Sequence, residues 1–93
     1  MAHIKIYQIR NIEETNYAFR EYNEKFFNMA DYKLVAETTM KIPEEWQGAP
    51  LEYIFMQFNG SHFGFKMHSL SVSDIIETNG KRYYVQYSGF KEI

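Results

Sequence analysis

The chain of 93 residues contains no cysteine, two prolines, five glycines and a single tryptophan. Without a thiol there is no disulfide scaffold, no thiolate metal site and no cysteine nucleophile, and an intracellular setting is favoured. The longest apolar runs are only a few residues, and Met1-Ala2-His3-Ile4-Lys5 has no charged segment followed by an apolar one. Neither a membrane span nor a secretory signal is expected. Net charge is scarce as well, at -2. That balance argues against an affinity built mainly on neutralising phosphates, and against an acidic mimic of DNA.

What the chain does hold is apolar mass, with 45% apolar residues, eight Phe and eight Tyr. Burial of that mass offsets the entropy lost on folding, which a disordered chain cannot do. The length suits one domain, residues 1–93. Residues 1–47 carry six basic and eight acidic side chains and residues 48–93 four of each, so charge marks no boundary. No repeat or low-complexity tract divides it further.

The patterning predicts a small α+β domain with a mostly antiparallel sheet of four or five strands. His3 to Ile9 alternates, with Ile4 and Ile6 on one face, as a half-buried strand requires. A short strand near 17–20 and a short helix near 21–28 are expected next, and Asn11 with Glu14 offers a capping box. Aromatic and β-branched residues from Tyr32 to Thr39 predict a strand over 32–40. Pro50 to Asn59 reads as the clearest helix, with Leu51, Ile54, Phe55 and Phe58 on one face, Pro at the first turn and Gly60 past the end. Asn79-Gly80 joins strands at 74–78 and 82–87 in a hairpin, and Phe90 to Ile93 suggests a last edge strand.

Catalytic and cofactor signatures are weak. His68-Ser69-Leu70-Ser71-Val72-Ser73-Asp74 holds the residue types of a hydrolytic triad but no Gly-x-Ser-x-Gly elbow. It reads better as a turn whose hydroxyls satisfy nearby backbone, with His68, Ser69, Ser71 and Asp74 as a docking loop in the competing reading. His3, His62 and His68 show no metal-ligand spacing, and the glycines form no phosphate-binding loop. No enzyme activity, metal or cofactor is expected.

Two surfaces remain. The helix places Tyr53, Met56 and Gln57 away from its core stripe, more apolar than solvation needs, which suggests a contact with another protein. Lys81, Arg82, Tyr83, Tyr84 and Tyr87 put two cations beside three aromatics, the composition of a nucleic-acid-binding strand. Only the end of the ribonucleoprotein motif fits, because Lys81 and Tyr83 stand where it has glycine and a small residue.

Taken in order, Ile4-Lys5-Ile6-Tyr7-Gln8-Ile9, Tyr17-Ala18-Phe19, Tyr32 to Glu37, Leu51 to Phe55 with Phe58-Asn59, His68 to Glu77, Tyr84-Val85 and Gly89 to Ile93 resemble the YodL-like family nearly end to end. Met67 stands where that family has a glycine, and Gln86 where an acidic residue is common. The resemblance implies a small cytoplasmic, non-enzymatic protein of Firmicutes or their mobile elements, found alone or as a module of large polyvalent proteins. Its better-known namesake is associated with interference with the actin-like cell-shape cytoskeleton. The expectation is therefore a protein-binding inhibitor or modulator of a cellular machine, such as a cytoskeletal filament or a defence nuclease. Nucleic-acid binding through the Lys81–Tyr87 hairpin is the alternative.

Overall fold

In the computed structural model, which describes residues 1–60 and 64–93, five strands form one antiparallel sheet in the order β2-β1-β3-β4-β5. The strands are β1 (Ala2–Ile9), β2 (Tyr32–Met40), β3 (Ile75–Thr78), β4 (Lys81–Gln86) and β5 (Gly89–Glu92), and one helix, α1 (Pro50–Phe58), lies between β2 and β3 in sequence. The α+β class, the hairpin at Asn79-Gly80 and the helix thus match the patterning. Asn79 and Gly80 both hold positive φ, at 54° and 76°, as a two-residue turn of this hand requires.

The sheet is covered on both faces, and alternation along each strand decides which residue goes where. Ile4, Ile6, Ala36, Ile76 and Val85 face α1 and pack with Ile54, Phe58 and Leu70. Ile9, Tyr32, Ile75 and Tyr84 face the other way and pack with Tyr17, Tyr22 and Phe27. β1 and β2 carry a bulge: Ile6 opposes Ala36 and Tyr7 opposes Leu34, so Val35 is the extra residue. This shift puts Tyr32 on the aromatic face although Ala36, four residues on, faces the helix.

Two expected elements are corrected. Residues 17–20 are a turn and not a strand, and no helix forms over 21–28, where only residues 24–26 turn. The connection from β1 to β2 has two single-turn 3-10 helices instead, Ile12–Glu14 and Met29–Asp31, capped by the side chains of Asn11 and Asn28. The reason is tertiary. Tyr17, Tyr22 and Phe27 point into one aromatic cluster, with Tyr22 edge-on to Tyr84 at 5.2 Å and Phe27 5.7 Å from Tyr32. Burying those rings against the sheet outweighs any local propensity. Backbone groups of the connection are then satisfied from β4 and the turn that follows it. Tyr84 Oη donates to Arg20 O at 2.7 Å, Tyr87 Oη to Phe19 O at 3.0 Å, and Tyr22 N to Gln86 Oε1 at 3.0 Å.

Beyond the aromatic cover the same face is polar. Lys5 lies 3.9 Å from Glu77, whose Oε1 accepts from Arg82 Nε at 2.8 Å, and Arg82 also sits over the Tyr7 ring. Lys5, Glu77 and Arg82 are register neighbours across β1, β3 and β4, so charge alternates along the row.

Candidate functional site

Residues 68–74 lead into β3 and touch every layer. Leu70 N donates to Phe58 O at 3.1 Å, and Asn59 Nδ2 donates to Leu70 O at 2.9 Å, which ties the segment to the end of the helix. At its other end Ser73 N donates to Val85 O and Val85 N to Asp74 O, both at 2.9 Å. Two residues therefore oppose one on β4, a bulge whose first position favours glycine because φ there is positive. Here that position is Ser73, with φ 81°. Its carbonyl accepts from Tyr32 Oη at 2.6 Å and its Oγ accepts from Phe19 N at 2.9 Å. Burial pushes the hydroxyls of Tyr32 and Tyr84 above the ordinary tyrosine range, so both remain donors.

Asp74 is the centre of the segment's electrostatics. It is 1% exposed, and its Oδ2 accepts from Ser71 N at 2.9 Å and from Gln8 Nε2 at 3.0 Å. Gln8, 2% exposed, gives its second amide hydrogen to His68 O at 2.9 Å. His68 Nδ1 lies 2.9 Å from Ser69 O, and a carbonyl oxygen only accepts, so the ring proton is assigned to Nδ1. That nitrogen is 3.9 Å from Asp74 Oδ2. Desolvation pushes the Asp74 carboxyl up to about 7, against the downward pull of the Ser71 hydrogen bond, the nearby His68 and Gln8.

The turn expected from Ser71 and Asp74 is there, and the hydroxyls serve it. Ser71 Oγ donates to Ser69 O at 2.8 Å, and Ser73 Oγ is occupied by Phe19 N. Of the residues proposed as a docking loop, Asp74 is buried, Ser69 and Ser71 are half-buried, and His68 reaches the surface beside the Phe19 ring, 5.8 Å away. Gln8 is the member that alternation alone hides. Its signal is position: it is third in the series Ile4, Ile6, Gln8, a polar residue where the face calls for an apolar one.

The helix candidates part company. Tyr53 is half-buried with its ring 5.3 Å from Trp46, and with Gln57 it lines a cleft of about 350 Å³ toward Thr38, Met40 and Phe65. Met56 is 59% exposed and faces the opposite flank, a cleft of about 400 Å³ between α1 and the β4–β5 turn, with Glu52, Phe55, Tyr87 and Phe90. Tyr87 rises beside it, 70% exposed. Sequence reading missed Phe55 and Phe90 as part of this surface because Phe55 sits on the core stripe.

The hairpin candidates are also split. Tyr84 is fully buried on the aromatic face and Tyr83 lies on the helix face, opposite Ile76. Arg82 is held by Glu77, while Lys81 is exposed. Tyr87 is beyond the strand, in the turn. Five residues within one seven-residue stretch thus present no common stacking platform.

Of the histidines weighed as ligands, His3 pairs with Glu37 at 2.7 Å, His68 is placed as above, and His62 lies outside the described residues. Among the described residues no three His, Asp or Glu side chains gather as a metal-binding group, and no helix is long and apolar enough to cross a membrane. No curated protein and no solved structure matches the chain significantly. The YodL-like domain, in contrast, matches residues 3–93, end to end with the sheet, the helix and the 68–74 segment described above, and the chain belongs to the YodL-like family.

Proposed function

We propose that this is a non-enzymatic protein-interaction module of the cytoplasm, encoded by a Firmicutes bacterium or its mobile element. It inhibits or modulates a cellular machine, a cytoskeletal filament or a host-defence nuclease. The observation that supports this reading is the apolar surface left over once both sheet faces are covered. Met56 and Tyr87, exposed by 59% and 70%, flank one cleft whose walls include Phe55 and Phe90. Large apolar side chains clustered around a concavity, with few charges in its lining, are the usual makings of a protein contact. Nucleic-acid binding through the hairpin has weaker support, since Tyr84 is in the core and Arg82 is paired with Glu77.

The test is affinity capture of the tagged protein from host lysate, with and without nuclease, using wild type and a Met56→Asp variant. A partner protein that survives nuclease and is lost with the variant supports the reading. Capture that disappears on nuclease treatment moves the function to the hairpin.

A further inference from the structure

β5 is an edge of the sheet, and the phase of its hydrogen bonds can be fixed. Ile93 N donates to Arg82 O at 2.9 Å, and Glu92 opposes Tyr83. In an antiparallel pair, bonded and non-bonded positions alternate. Gly89, Lys91 and Ile93 therefore turn their backbone groups toward β4, and Phe90 and Glu92 turn theirs outward. Side chains alternate too. Phe90 packs on the helix side, with its ring 6.3 Å from Phe55, Glu92 shares that side, and Lys91 projects from the opposite face. The 400 Å³ cleft with Met56 and Phe55 opens beside Phe90 on the helix side.

We infer that the β5 edge and this cleft bind an extended segment of a partner protein reading basic, acidic, apolar, added antiparallel as a strand against Phe90 and Glu92. The recognition follows position by position. The basic residue lies opposite Glu92, the acidic residue opposite Lys91, and the apolar residue opposite Phe90, where its side chain enters the cleft between Phe55 and Met56. Outward N–H and C=O groups of Phe90 and Glu92 supply the main-chain bonds, and the cross-strand pairs supply selectivity. A second copy of this chain is the poorer occupant. The antiparallel register that uses both outward residues puts Lys91 opposite Lys91 of that copy, and like charges directly opposed repel. The site deepens the protein-interaction reading and rests on it.

The experiment titrates the isotope-labelled protein with the blocked peptide Thr-Lys-Glu-Phe-Thr and follows amide and methionine-methyl resonances to millimolar peptide. Saturable shifts at the Phe90 and Glu92 amides and the Met56 methyl are expected. Glu92→Lys should weaken binding by about tenfold and the matched peptide Thr-Glu-Glu-Phe-Thr should restore it, a swap that misfolding cannot imitate. Absence of shifts, shifts mapping elsewhere, or equal binding by the Glu92→Lys variant overturns the site. A host protein captured equally well by wild type and by a Glu92→Lys, Met56→Asp variant also overturns it, while leaving the interaction-module reading intact. Failure to capture any protein, with the peptide still bound at β5, counts against that broader reading and leaves the edge site standing.

Discussion

Phe19 N donates a 2.9 Å hydrogen bond to Ser73 Oγ, and the two residues so joined are both non-glycine residues with positive φ, 61° and 81°. Each backbone is held in a region that costs an L-residue about 1 kcal/mol or more, and the bond between them links the aromatic connection to the bulge before β3. Ser73→Ala keeps the strain, removes the bond and leaves the Phe19 N–H without its acceptor. A loss of about 1–3 kcal/mol is expected. Ser73→Gly removes the same bond but relaxes the φ penalty, so it should be the milder change. Urea unfolding of both variants checks the order, and a glycine variant less stable than the alanine variant contradicts it.

The buried carboxyl of Asp74 sets a pH dependence of definite sign. Its pKa is raised from 3.8 to about 7 in the fold, so the protonated form is the one that burial favours. The resulting stability is fully present below about pH 4 and is lost as pH rises through about 7. The span corresponds to about 4 kcal/mol at most. Asp74→Asn cannot ionise, and its side-chain oxygen can still accept from Ser71 N. Stability of wild type relative to this variant should fall from pH 4 to pH 8; a constant difference across that range refutes the assignment.

Thr78 is 7% exposed, and its Oγ1 has no hydrogen-bond partner among the described residues. Thr78→Val removes the stranded hydroxyl, keeps the shape and suits a strand. It should raise stability by about 1 kcal/mol, seen as a higher denaturation midpoint with an unchanged slope.

Arg82, Glu77 and Lys5 are exposed or partly so, and surface pairs contribute little. Glu77→Gln should therefore cost under about 1 kcal/mol at low salt, and the difference should vanish in high salt. The Glu77 carboxyl is held below its ordinary range by the hydrogen bond from Arg82, so its small contribution is present at neutral pH and lost on acidification. If the variant also shifts labelled nucleic acid where wild type does not, the freed Arg82 is a phosphate contact.

The sheet was legible because its residues obey a period of two. Ile4 and Ile6 face the helix, Tyr83 and Tyr84 part to opposite faces, and Asn79-Gly80 makes the turn. The β1–β2 connection was not. Tyr17, Tyr22 and Phe27 look local in sequence, yet their burial depends on Tyr84, on a strand the connection does not adjoin, as well as on Tyr32 at the start of β2. Likewise, Ser71 and Asp74 announced a turn, but nothing local could say that Gln8, more than sixty residues away, would close the carboxylate's hydrogen bonds. Gln8 stands out as polar at its position, but its pairing with Asp74 leaves no trace in spacing.

The strand order has a consequence for synthesis. β1 sits between β2 and β3, so its second edge stays open until residues 75–78 have left the ribosome. From the emergence of β2 until then, the nascent chain carries a two-stranded ribbon in which one long edge of β1 is unpaired. Such a ribbon is marginal in water and pairs readily with other strands. The C-terminal meander of β3, β4 and β5 is local and can form as soon as it emerges. Closure of the sheet is then a late docking of two preformed halves, and a chain interrupted before β3 leaves its most apolar strand for chaperones to shield.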